Sequence, residues 1–251
     1  MNAKSMKAMN ERIGVVCIHG AGLKGEIWQK TSQYIEAPSL FIDLPLRSGT
    51  DEVRCKLTFL DYCAEATRQI ESWPVRKFII VAHSIGGSIA LRLAEDLKDR
   101  VVGLVAVSAA IPRDGGSFLS SLPFLKRMAF AAVMKLAGTK PPGSAIRSGL
   151  CNDLPRSQSD AVVNSFVPEA KRLYFDRTDA PIPAIPKFYI KLMKDQEFTP
   201  VFQDRMAANL AADHVIELQA GHLPMLSNPS GLGAILQGLL EHLSGTQGSN
   251  S

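Results

Sequence analysis

Four of the 251 residues are cysteine, and no two of them form a CxxC pair. Cys17, Cys55, Cys63 and Cys151 lie too far apart to imply a zinc site or a disulfide framework, so reduced, mostly buried thiols are expected. Nothing approaches the roughly 18 uninterrupted apolar residues of a membrane span. Residues 1–12 carry Lys4 and Lys7 but no apolar core of leader-peptide length, which leads to the expectation of a cytoplasmic protein. Runs of one charge sign are missing too. The net charge is +4 and the cations are scattered, so neither nucleic acid nor a membrane is expected as a partner. Internal repeats are absent. What remains is an ordinary globular composition, long enough for one substantial core with an inserted lid.

The most informative stretch is residues 78–87, FIIVAHSIGG, an apolar strand running into a small-residue turn with Ser84 at its apex. Ile89, Ala90, Leu93, Ala94 and Leu97 then recur at helical spacing, so Ser84 stands where a strand reverses into a helix. Such a turn strains the apical residue and lifts its side chain clear, which requires small neighbours; Ala82, Gly86 and Gly87 supply them. The N-terminus of the following helix favours negative charge forming beside the hydroxyl. Ser84 is therefore a candidate nucleophile.

Taken in order, residues 13–18 read as a strand covered on both faces and ending in His19-Gly20-Ala21-Gly22. A second short apolar stretch holds Phe41 and Ile42. Residues 58–70 read as a helix using Leu60, Cys63, Ala64, Thr67 and Ile70, and residues 101–107 as a strand. This alternation implies a parallel sheet with helices on both faces. The rhythm breaks for about seventy residues, far longer than an ordinary connection. The expected division is a core of 1–111 and 184–251 with a helical cap at 112–183. In the cap, Leu125, Met128, Ala129, Ala132, Val133 and Leu136 share one helix face, with Gly138 as a stop. That face is read as covering a pocket rather than lying on a membrane, although Lys126, Arg127 and Lys135 flank it. Strands resume at 187–193 and 214–218, a helix is expected at 231–243, and 244–251 reads as a flexible tail.

A serine nucleophile needs a base, and the base an orienting acid. His242 lies in the last helix and His214 opens a strand. His83 adjoins Ser84, and consecutive residues leaving a strand point apart. His222, in the loop after the last strand, reaches the sheet's carboxyl edge and is the expected base. Asp195 directly follows the strand at 187–193 and is the expected acid, with Glu197 its rival; Asp176, Asp179 and Asp213 are placed less favourably.

These motifs, HGAG at 19–22, AHSIGG at 82–87, Asp195 and GHLPML at 221–226, resemble the α/β-hydrolase superfamily, and the order Ser, Asp, His matches its triad. More narrowly, the spacing from His19-Gly20 to Trp28, the Pro200–Gln203 segment and Met225-Leu226 resemble the plant methylesterase and hydroxynitrile lyase group and its bacterial esterase relatives. The resemblance implies a mostly parallel sheet of about six strands, an oxyanion hole from the N–H groups of Ala21 and Ile85, and a His19 that anchors its own loop. Ala82 replaces the usual first glycine, and Leu46 a glycine after Asp-Leu-Pro. Gly20, Trp28, Phe118, Leu122, Phe124, Phe166 and Leu223 are candidate pocket residues. The expected activity is carboxylic ester hydrolysis, the partner a small-molecule ester, and the protein a monomer or homodimer. No metal or organic cofactor is implied. A hydroxynitrile lyase is the alternative, yet the lyases of this group carry threonine and lysine where Gly20 and Leu223 stand. Other C–C bond-cleaving enzymes and a non-catalytic ligand receptor share the fold.

Overall fold

A computed structural model describes residues 12–248. Residues 1–11, within the stretch read for a leader, and residues 249–251 of the tail lie outside the described residues.

Six strands form one sheet: β1 (Gly14–Ile18), β2 (Ser39–Ile42), β3 (Phe78–His83), β4 (Val101–Val107), β5 (Lys187–Leu192) and β6 (His214–Leu218). Every pairing is parallel and the order is β2-β1-β3-β4-β5-β6. The central strands are rich in Val and Ile because they are buried on both faces, where β-branched side chains pack well against neighbours. All six residues of β3 are buried. Its alternation splits them between two cores: Ile80 and Ala82 join one, Ile79 and Val81 the other. The first core lies under the helices Phe59–Glu71, Gly86–Asp96 and Pro200–Leu210, the second under the helix Pro229–Gly248 and the short turns around Trp28.

After β2 the chain returns past β1 to lay β3 on its other side. The strand order therefore reverses between β1 and β3, and the loops at their carboxyl ends border the crevice where α/β sheets bind ligands. The loop after β1 carries Gly20 and Ala21; the turn after β3 carries Ser84.

Two helices differ in phase from the sequence reading. Phe59–Glu71, capped by a reciprocal Thr58–Asp61 box, buries Phe59, Tyr62, Cys63, Ala66 and Ile70, whereas Leu60 is exposed. Tyr62 turns inward because its hydroxyl bonds Glu169 and accepts from the Ala170 N–H. The helix Phe124–Ala137 shows the larger difference: Leu125, Met128, Val133 and Leu136, read as its inward face, are exposed, and Met134 is the residue it buries. The final helix begins two residues earlier than expected and continues through 248.

Between β4 and β5 lie the helices Phe118–Ser121, Phe124–Ala137, Gly143–Gly149, Arg156–Ser165 and Lys171–Phe175. Among the described residues no helix is long and apolar enough to cross a membrane, no group of acidic, His and Cys side chains is arranged to hold a metal ion, and the four cysteines are unpaired, three of them buried.

Candidate active site

Ser84 sits between β3 and the helix Gly86–Asp96 with φ of 54°, in the left-handed region that residues other than glycine seldom occupy. Hydrogen bonds hold it there: its carbonyl accepts from Gly87 N–H (3.1 Å) and Ala110 N–H (2.9 Å). Two close approaches depend on glycine. A Cβ on Gly87 would come within 2.6 Å of the Ala110 carbonyl oxygen, and one on Gly20 within 2.9 Å of Ser84 Cβ. The loop after β1 thus lies directly against the elbow. Ala82 is fully buried in β3, and the turn forms with that methyl group present.

Asp195 and His222 meet beside this turn. Asp195 Oδ2 accepts from His222 Nδ1–H (2.7 Å) and Ser108 Oγ–H (2.7 Å), while Oδ1 accepts from the N–H groups of Glu197 (2.8 Å) and Phe198 (2.9 Å). The carboxylate has donors on both oxygens. Burial would push the Asp195 carboxyl up, but the facing imidazole and these hydrogen bonds outweigh it and hold it below the usual value. Burial likewise pushes His222 down, and the Asp195 charge and hydrogen bond more than reverse this, leaving its pKa raised. With Nδ1 donating to the carboxylate, His222 Nε2 is the free ring atom; it is buried and has no hydrogen-bond partner among the described residues. Ser84 and His222 line the same cavity. Glu197, the rival acid, contributes its backbone N–H to Asp195 and lines the cavity's exposed part.

The loop of Asp195 is tied down by fully buried Gln203, whose amide bonds the Leu192 N–H, the Leu192 carbonyl and the Phe198 carbonyl at 2.7–2.9 Å. His83 departs from the expected divergence. Strand alternation ends where Ser84 leaves the extended conformation, so the His83 ring packs 4.7 Å from the His222 ring and its Nε2–H donates to the His222 carbonyl (2.7 Å). Burial, then the neighbouring His222, hold His83 well below the usual pKa, so it stays neutral. It supports the backbone of His222. His19 anchors its own loop: Nδ1–H donates to the Gly20 carbonyl (2.7 Å) and Nε2 accepts from Leu44 N–H (3.3 Å).

The N–H groups of Ala21 and Ile85 have no hydrogen-bond partner among the described residues. The loop bearing Ala21 is braced by Glu169, which accepts from Gly22 N–H (3.0 Å) and Tyr62 hydroxyl (3.1 Å) and pairs with Arg47. Arg47 in turn donates to the carbonyls of Leu23 and Leu44. Sequence reasoning missed Ser108, His83, Gln203 and Glu169. Ser108 has a weak signal, since it directly follows β4 at the same sheet edge; His83 and Gln203 stand within the AHSIGG and Pro200–Gln203 stretches, which did not reveal what they bond, and Glu169 carries none.

The cavity, about 290 Å³, is lined on the core side by Gly20, Ala21, Ser84, Ile85, His222 and Leu223 and on the other by Phe118, Phe130, Met134, Ile146, Phe166 and Tyr174. Three expected pocket residues do not line it. Trp28 is buried in the core beneath the sheet, Leu122 packs against the opposite core, and Phe124, at the outer first turn of its helix, is 64% exposed. Phe130 and Met134, one helical turn apart, replace them; the apolar spacing that placed Leu125 and Leu136 inward could not separate the two faces.

A model described as the alpha/beta hydrolase family matches residues 15–234. Methylesterase 17 of Arabidopsis thaliana is 26% identical over 239 residues, covering 85% of this chain and 86% of the relative. Among solved structures, an extracellular alpha/beta-hydrolase from a Paenibacillus species superposes with a TM-score of 0.80 at 20% identity, covering 89% of this chain and 97% of the other. A pyrethroid hydrolase from Sphingobium faniae gives a TM-score of 0.74 at 19% identity over 91% and 97%.

Proposed function

Because the chain belongs to the alpha/beta hydrolase family, we propose that it is a serine esterase in which Ser84, His222 and Asp195 hydrolyse a carboxylic ester through an acyl-enzyme. His222 Nε2 takes the Ser84 proton as Oγ attacks the ester carbonyl, and Asp195 steadies the imidazolium that results. The N–H groups of Ala21 and Ile85 receive the oxyanion. Each such donor is worth on the order of a hundredfold in rate. His222 then protonates the departing alcohol, and water, activated by the same ring, releases the acid. Residues 112–183 act as the cap, and their apolar lining selects an uncharged substrate of modest size.

The observation that carries this reading is a hydroxyl on a strained turn sharing one cavity with an imidazole already paired to a buried carboxylate. The names of the relatives, a methylesterase and a pyrethroid hydrolase, support ester chemistry. The test is labelling by a fluorophosphonate probe together with turnover of p-nitrophenyl esters of increasing acyl length. Wild type should label and turn over, and Ser84→Ala should do neither, losing on the order of 10³-fold or more in kcat. Full activity in Ser84→Ala would overturn the assignment.

A further inference from the structure

The helix Phe124–Ala137 is apolar on two opposite sides. Inward it presents Met134 and Phe130; outward, Leu125 (80% exposed), Met128, Ala129, Ala132 and Leu136 (90% exposed) stand in water. A contiguous exposed apolar patch marks an interaction surface.

Charge identifies what covers it. From residue 115 to 152 there is no Asp or Glu, while Lys126, Arg127, Lys135, Lys140 and Arg147 are present. These five cations exceed the chain's net charge of +4, which leaves the other residues at −1. Lys126 and Lys135 are exposed beside the apolar stripe, and Lys171 joins them, its Nζ donating to the Lys135 carbonyl (3.3 Å). Of the carboxylates nearby, Glu169 is buried against Arg47, Asp51, in the groove past the helix's end, pairs with Arg54, and Glu197 is exposed on the far side of the cavity from the stripe's lysines. A second copy meeting this face across a two-fold axis would set one cationic cluster against another. A hydrocarbon layer under anionic headgroups matches both the stripe and its cations.

We propose that this helix docks the protein onto anionic lipid surfaces, its leucines and Met128 entering the acyl boundary and its lysines reaching the headgroups. Val133, Met134 and Ala137 of the same helix line the cavity, and Val133, Ala137, Lys140 and Pro141 are exposed there, so the cavity opens beside the docked face. An apolar ligand dissolved in lipid would enter without crossing water. The sequence expectation of no membrane partner followed from cations scattered along the chain and from reading the stripe as a pocket cover; in the structure Lys126, Lys135 and Lys171 stand beside the exposed stripe, while Arg147 pairs with Asp160.

The test is flotation of the full chain with vesicles of phosphatidylcholine alone and of phosphatidylcholine mixed with phosphatidylglycerol. Binding should be about tenfold greater to the mixed vesicles and should fall as salt is raised. The double variant Leu125→Glu, Leu136→Glu, at positions already in water, should lose it while keeping the wild-type melting temperature. Lys126→Gln with Lys135→Gln should weaken binding and flatten its salt dependence. Ser84→Ala should bind as wild type does, so the result is independent of the esterase reading. No binding to mixed vesicles at low salt, or equal binding to both kinds, would overturn the proposal. So would a concentration-dependent dimer in light scattering that the Leu125, Leu136 variant abolishes, which would assign the face to a second copy.

Discussion

At the scale of single residues the site turns on how two titrating groups divide a proton. Asp195 is held low and His222 high because each favours the charged form of the other inside a buried pocket. A base works when neutral, and a raised pKa means that its proton leaves only at higher pH. The acidic limb of kcat/KM should therefore lie above the ordinary imidazole value of about 6.5. In Asp195→Asn the limb should move down, since burial then acts on the ring against the charge of Glu197 alone, and kcat should fall by on the order of 10³- to 10⁴-fold. A pH–rate profile of both proteins decides it; an unmoved limb would mean that another group sets the pH dependence. Ser84, Asp195 and His222 were legible because each lies within four residues of the carboxyl end of a strand. Ser108 and His83 were not, because a serine after a strand and a histidine beside the nucleophile have many ordinary explanations.

At the scale of elements the elbow and the loop facing it are held by close packing and by one buried ion pair. Gly87→Ala would push a methyl group against the Ala110 carbonyl at 2.6 Å and Ala109 Cβ at 2.8 Å, neither of which is a flexible side-chain end. The expected cost is about 1–3 kcal/mol of stability, read as a lowered melting temperature. Glu169→Ala leaves Arg47 buried without its partner, for which a loss of about 3–5 kcal/mol is expected by urea unfolding. It also releases the Gly22 N–H and with it the loop bearing Ala21, so kcat should fall more than KM rises. Helix positions were readable from spacing, as was the buried face of Gly86–Asp96, but the facing of Phe124–Ala137 was not. In Phe124–Ala137 apolar residues occupy both sides, and a period of 3.6 carries no information about which side meets the sheet.

At the scale of the whole molecule the two anchoring histidines make the fold acid-sensitive. Burial, offset in part by the Gly20 carbonyl, pushes His19 down to about 4, and burial with the adjacent His222 holds His83 well below its usual value. In the unfolded chain both take up protons near pH 6.5. The unfolded state thus binds more protons between about 6.5 and 4, and stability falls as pH falls through that window, by up to ~1.4 kcal/mol per pH unit for each ring. His222, with its raised pKa, contributes stability fully present below 6.5 and lost as pH rises through the folded value, so it adds no slope within that window. Urea titrations at pH 7 and pH 5 should give a lower midpoint at the acid pH. The loss should be smaller in His19→Asn, measured against its own pH 7 value.

The sequence by itself determined the alternation of buried strands and helices and the ends of strands at which chemistry sits, because both follow from local periodicity and from residues that interrupt it. Only the tertiary structure decided what lies across the sheet edge from those ends. Glu169 reaches the loop after β1 from 147 residues away, and Gln203 clamps the loop of Asp195. Which face of the helix Phe124–Ala137 remains in water was decided the same way, since it depends on the shape of the surface beneath it and not on any property of its own residues.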